Sequence, residues 1–291
     1  MIARVFVILL AVCLAVVAPV LAAAPLPVSA GAVLVKSGDA LIWSHQADKR
    51  LPPASLTKVM TALVVLERAD LDEVVTVSAA AAAELGSRLQ MQAGDRLRLG
   101  DLLAAVLIRS ANDGAHALAE HVAGSQAEFV RLMNQHAAEL GLADTRFQNA
   151  SGWDHPQHYS TALDLARLTE YAMGHEEFRR LVAVEEMQVR SLDGESSWEI
   201  RNSNRLLGFY EGLQGVKTGF TNRAGPCLIS MAERDGKQVL VVLLNSPKRW
   251  DETPAILDWV FGLDAADVEG ERVAAVDLEA SEGRAVGAGG D

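Results

Sequence analysis

The chain of 291 residues carries 26 lysines and arginines against 38 acids, a formal net charge of −12, and half of its residues are hydrophobic. That length allows one large domain or two modest ones, with a sizeable core. The acidic balance makes nucleic acid and anionic membrane surfaces poor partners, so an anionic ligand needs a local cluster of positive groups.

Arg4, an apolar run from Val5 to Ala18, Pro19 and the small residues up to Ala24 read as an export signal over residues 1–24. The protein is therefore expected in the periplasm or another extracytoplasmic space, without a strong membrane anchor once the signal is cleaved. Retention of the apolar run as an anchor is the alternative. Cys13 lies in that segment and leaves Cys227 alone in the mature chain, so no internal disulfide is expected.

The stretches Ala32 to Val35 and Ala40 to Trp43 flank a turn containing Gly38 and predict a hairpin. From Ser55 to about Ala69 apolar residues recur at helical spacing, which predicts a mostly buried helix. Further helices are expected from Gly100 to Ile108, from Asn112 to about Val122, after the capping signature Ser125-Gln-Ala-Glu128, and from Ser160-Thr161 to about Met173. Beyond Gly215 the pattern changes to strands at Val216 to Phe220, Cys227 to Met231 and Gln238 to Leu244. A last helix is expected from Thr253-Pro254 to Phe261. Strands at both ends with helices between predict an α/β fold of the α+β type: one antiparallel sheet from the N-terminal hairpin and the C-terminal strands, covered by helices, with an inserted helical region. Residues 25–263 would form this domain, and 264–291, rich in acids and without aromatics, an acidic, disordered tail.

Three short stretches carry chemistry. In Pro53-Ala-Ser55-Leu-Thr-Lys58, a hydroxyl and an amine three residues apart share a helix face, the geometry of an activated nucleophile; a helix start with a solvated lysine is the plainer account. Ser110-Ala-Asn112 sits where one helix gives way to the next, where capping alone would explain it. Lys217-Thr218-Gly219 lies on a strand, where a solvated edge lysine is the ordinary case. Histidines at 116, 121, 155 and 158, with Asp154, raise a zinc peptidase, but neither set has the spacing of a zinc site with a third ligand and a base.

Taken together and in this order, Ser-x-x-Lys, Ser-x-Asn and Lys-Thr-Gly resemble the low-molecular-mass penicillin-binding proteins, the serine D-alanyl-D-alanine carboxypeptidase family. The resemblance runs through RLPPASLTKVMTALVVLE, AGDRLRLGDLLAAVLIRSANDGAHALAEHVAG, HYSTALDLARL, NSNRLL and GLQGVKTGFTNRAGPCLISMAERDGKQVLVVLL, from about residue 28 to 262. It implies a β-lactamase/transpeptidase-like fold and metal-free acyl transfer without a cofactor. Ser55 would be the acyl-forming nucleophile, Lys58 its base, and Ser110 a proton relay that also orients Lys58. Asn112 would hold substrate and lysine. Lys217 would supply positive potential at the far side of the cleft, Thr218 would grip the substrate's terminal carboxylate with help from Arg249, and Ser55 and Phe220, after Gly219, would supply oxyanion-hole N–H groups. Peptidoglycan stem peptides are the implied substrates and β-lactams the implied inhibitors. Removal of terminal D-alanine is the main expectation, and an endopeptidase acting on D-alanyl crosslinks the alternative. A class A β-lactamase would carry an additional E-x-x-L-N stretch, which this sequence lacks, and an intact trio argues against a silent wall-binding module.

Overall fold

The computed structural model describes residues 27–263. The expected export signal and the acidic tail lie outside the described residues.

The first hairpin is β1 (Ala32–Ser37) and β2 (Ala40–His45). A 3-10 turn, Ala54–Thr57, then feeds α1 (Lys58–Leu66). Next come β3 (Val74–Thr76), the single turn α2 (Ala79–Ala82), β4 (Arg96–Arg98), α3 (Leu99–Ile108), α4 (Asn112–Ala123) and α5 (Gln126–Glu139). After a long irregular stretch follow α6 (Ala162–Met173), α7 (Glu176–Val182), and the hairpin β5 (Glu186–Arg190) and β6 (Ser197–Arg201). The chain returns through β7 (Leu213–Thr221), β8 (Gly225–Arg234) and β9 (Lys237–Leu244) and ends in α8 (Arg249–Phe261).

The expected sheet forms from the two ends of the chain: its order is β2-β1-β9-β8-β7, with every neighbouring pair antiparallel. β1 lies against β9 with Leu34 opposite Val242 and Val35 opposite Val241. Successive strand residues face opposite sides, and both sides are covered. Leu34, Val242 and Leu244 join the main core under α1 and α3 to α6, while Val33, Val35, Val239, Val241 and Leu243 meet Ile256, Leu257 and Val260 of α8. A strand buried on both faces has no polar side to show, which is why β9 reads as an unbroken apolar run.

Helix ends follow their sequence signals. Ser125 Oγ accepts from the Glu128 N–H at 3.2 Å, Thr161 Oγ1 accepts from Asp164 N–H at 3.0 Å, and Gly124 closes α4 at φ +74°. The last helix differs from expectation: it begins at Arg249, four residues before Thr253-Pro254, with Pro254 inside it. The Asp251 and Glu252 N–H groups already bond the Lys248 carbonyl at 2.9 Å, and both acids sit in the first turn where the helix dipole favours them. The hairpins β3–β4 and β5–β6 and the helix α7 were not legible. Each short strand buries only one side chain, Val75, Leu97, Val189 and Ile200, too little alternation to stand out.

Candidate functional site

Ser55 and Lys58 meet by a shorter route than a helix face. The chain enters through Pro53 and Ala54, the latter at φ +49°, and winds one 3-10 turn before α1 begins at Lys58. In a 3-10 turn residues i and i+3 eclipse, so the amine is brought directly beside the hydroxyl. Lys58 Nζ lies 2.9 Å from Ser55 Oγ.

The lysine is fully buried and its Nζ has two further partners: Asn112 Oδ1 at 2.7 Å and the Ser151 carbonyl oxygen at 2.6 Å. The Asn112 amide cannot be turned round, because its Nδ2 donates to the Leu85 carbonyl at 2.6 Å. Both partners are therefore acceptors only, and together they take the two N–H groups of a neutral amine. In that form the remaining lone pair would face Ser55 Oγ, whereas the charged form would donate to it. The surroundings favour the neutral form: burial holds the Lys58 pKa well below the ordinary lysine range, and the positive charge of Lys217 pushes it the same way, against a smaller opposing effect of Glu84 and Asp113. A hydroxyl next to a neutral amine in a dry site can give up its proton as it attacks, which free serine at neutral pH does not.

Lys217 is also buried, although β7 is the edge of the sheet; the 3-10 turn packs over it in place of solvent. Burial lowers its pKa to about 7. Thr218 Oγ1 shares a hydrogen bond of 2.6 Å with Ser203 Oγ. Gly219 is where the sheet and the 3-10 turn touch: a Cβ there would lie 3.1 Å from Pro53 O and from Ser55 N. Arg249 donates from Nη1 to the Gly219 carbonyl at 3.2 Å, while its Nε is buried and without a partner among the described residues.

Ser110 sits at φ +66° between α3 and α4, a conformation that aims its side chain into the cleft and starts α4 at Asn112. Its hydroxyl is buried and has no partner among the described residues, so it is not bonded to Lys58. Ser55, Ser110, Thr218, Gly219, Phe220 and Arg249 all line one cleft of about 460 Å³. Lys58, Asn112 and Lys217 are buried and do not line it: Lys58 is bonded to Ser55 and Asn112, and Lys217 Nζ donates to the Thr218 carbonyl at 3.2 Å. A larger groove of about 590 Å³, between Asn134, Gly141, Arg146 and Tyr159, holds none of them.

Several participants escaped the sequence reading. The Ser151 carbonyl is one: a backbone atom leaves no side-chain signature. The strap bearing it is pinned to α1 by Thr61 Oγ1, which donates to the Ala150 carbonyl at 2.6 Å. His158, weighed above as a zinc ligand, braces the 3-10 turn. Its Nδ1 accepts from the Gln148 N–H at 3.3 Å, so Nε2 carries the proton and donates to Thr57 Oγ1 at 2.9 Å. His116 lies between Glu84 and Glu120, and His121 against Glu73. Among the described residues no group of three His, Cys, Asp or Glu side chains is arranged to hold a metal ion.

The family described as D-alanyl-D-alanine carboxypeptidase matches residues 21–248. The chain is similar to the D-alanyl-D-alanine carboxypeptidase DacF of Bacillus subtilis, 34% identical over 76% of this chain and 59% of that one. It is similar also to DacC of Escherichia coli, 36% identical over 74% of this chain and 56% of that one. The chain thus spans a little over half the length of these two relatives. Among solved structures, Penicillin-Binding Protein D2 of Listeria monocytogenes, in its ampicillin-bound form, superposes with a TM-score of 0.69 at 33% identity, covering 80% of this chain and 97% of that one.

Proposed function

The chain belongs to the D-alanyl-D-alanine carboxypeptidase family, and on that premise we propose that it removes the terminal D-alanine of peptidoglycan stem peptides through an acyl-enzyme on Ser55. The observation that carries this reading is the fully buried Lys58 amine, bonded to the Asn112 Oδ1 and Ser151 carbonyl acceptors and 2.9 Å from Ser55 Oγ, in a setting whose burial favours its neutral, basic form. The site of action would be outside the cytoplasmic membrane, where the wall is built.

In the proposed sequence Lys58 takes the Ser55 proton as Oγ attacks the carbonyl of the D-alanyl-D-alanine bond. The backbone N–H groups of Ser55 and Phe220 hold the developing oxyanion, where each well-placed donor contributes ~3 kcal/mol. The contact of Gly219 with the Ser55 backbone supports that role, since any side chain would separate the two donors. Thr218, Arg249 and the charged form of Lys217 receive the terminal carboxylate. Such a local cluster would let a chain of net charge −12 attract an anion, because charges at contact distance outweigh screened distant ones. Ser110 passes the proton from Lys58 to the departing amine. Its unpartnered hydroxyl in the cleft wall supports this assignment. Water then hydrolyses the acyl-enzyme. β-Lactams would acylate the same hydroxyl, a reading supported by the ampicillin-bound structure of the similar Listeria protein.

The test is mass spectrometry of the protein incubated with a pentapeptide muropeptide and with a D-alanyl-crosslinked dimer, with Ser55→Ala as control. Loss of one alanine from the pentapeptide, absent from the variant, is the expected result. Conversion of the dimer alone would replace this reading with the endopeptidase alternative, and no change in either would refute both.

A further inference from the structure

The carboxylate end of the cleft holds one more cation than the proposed reaction uses. Arg205 follows Asn204 in the loop after β6 and lines the cleft beside Ser203, Thr218, Arg249 and Trp250. Its guanidinium carbon lies 5.7 Å from the centre of the Trp250 ring, and that of Arg249 lies 4.7 Å from the same ring. The indole thus carries two guanidinium groups, held by its π face. Arg205 makes no hydrogen bond or ion pair with any described residue. Glu185 and Glu186 line the adjoining groove without pairing with it, and the one acid in the cleft wall, Asp154, is already committed to Thr221 Oγ1 and the Arg223 N–H. The proximity is felt electrically, since the charge of Arg205 adds to burial in lowering the pKa of Arg249. Two unneutralised guanidinium groups gathered on one ring, in a protein of net charge −12, form a place for more than one anionic group.

We infer that Arg205 and Trp250 form a second carboxylate subsite on the leaving-group side of the cleft, selecting peptides whose departing amine carries a carboxylate beyond the one bound by Thr218 and Arg249. An acidic D-residue in the last position has that chemistry, and so does the acceptor end of a crosslinked peptide. The inference rests on the proposed reaction at Ser55 and adds its leaving-group specificity.

The test compares kcat/KM for acyl peptides ending D-Ala-D-Glu and D-Ala-D-Ala, and for a crosslinked dimer against a pentapeptide, in wild type, Arg205→Ala, Arg205→Lys and Arg205→Glu. The readout is the ratio within each pair, which a general loss of folding or activity does not alter. The ratio is expected to fall about tenfold or more in Arg205→Ala, the scale of one charge-assisted hydrogen bond, to recover partly in Arg205→Lys and to fall furthest in Arg205→Glu. A fall confined to the first pair identifies the acidic residue as the source, and a fall confined to the second identifies the crosslink. Ratios unchanged in both pairs, or equal losses on both members of each, overturn the subsite. Acylation by a labelled penicillin separates the two layers: variants that still acylate while the ratios stay flat refute the subsite alone, whereas a wild type that neither acylates nor cleaves any of the four peptides refutes the reaction and the subsite with it.

Discussion

The strap from Asn149 to Trp153 makes Gly152 the point where a single methyl group should disarm the site. Gly152 has φ +85°, and a Cβ built there would stand 1.9 Å from the Ala54 carbonyl oxygen and 2.9 Å from Thr57 Oγ1. Carbon and oxygen normally approach to about 3.3 Å, so Gly152→Ala must drive the strap and the 3-10 turn apart by about 1 Å or more. That turn carries Ser55, and the strap carries the Ser151 carbonyl that orients Lys58, so the two halves of the hydroxyl–amine pair move in opposite directions. A displacement of about 1 Å between reacting groups costs about 100-fold in rate. Part of any effect is mere backbone strain, of about 1 kcal/mol for an L-residue in the left-handed region, or about 2–4 °C in Tm for a domain of this size. Gly38→Ala isolates that part: Gly38 has φ +54°, open space around it and a place in the β1–β2 turn, away from the cleft. The assay is the second-order rate of acylation by a fluorescent penicillin, with Tm from calorimetry. Gly38→Ala should lose a few degrees and acylate as wild type does, whereas Gly152→Ala should lose more and acylate at least about 100-fold more slowly. If folded Gly152→Ala acylated within twofold of wild type, the argument that the strap sets the Ser55–Lys58 geometry would be wrong.

Two titrations give further expectations. His158, held neutral by burial with a pKa of about 4 against an ordinary 6.5, binds more protons unfolded than folded between those values. Stability therefore rises with pH across that window, and falls by about 3 kcal/mol on acidification from above 6.5 to below 4. Urea denaturation at intervals of pH should show this slope in wild type and its loss in His158→Gln; the same slope in both would exclude His158 as its source. Lys217, with its pKa of about 7, is charged below that pH and neutral above it. The KM for a peptide ending in a free carboxylate should accordingly rise as pH passes upward through about 7, and in Lys217→Met it should be high and independent of pH over the same range. A flat wild-type KM would remove Lys217 from carboxylate binding.

Much of this candidate site was legible because the residues proposed to act in it are side chains at fixed spacing. Ser55 with Lys58, Ser110 with Asn112, and Lys217 with Thr218 each stand in one short segment, and closure of the sheet by β1 against β9 brings the segments together. The alternation and caps that predict the elements are local properties, so the hairpin, the long helices and the three C-terminal strands were readable. What escaped was determined by contacts distant in sequence. The burial of Lys217 on an edge strand depends on a turn about 160 residues earlier. The Ser151 carbonyl carries no side-chain signal at all, and His158 resembled a ligand until its two nitrogens were seen to be occupied by Gln148 and Thr57. Arg249 was placed before the last helix because Pro254 suggested the helix start, whereas it occupies the first turn, which fixes its guanidinium against Gly219.

The claim on which everything else rests is that Ser55 is acylated with Lys58 as its base. Intact-protein and peptide mass spectrometry after exposure to a penicillin tests it directly, on wild type, Ser55→Ala and Lys58→Met. The account predicts one adduct, located on the peptide containing Ser55, absent from Ser55→Ala and absent or formed orders of magnitude more slowly in a folded Lys58→Met. An adduct on another residue, or equal acylation of Lys58→Met and wild type, would contradict it.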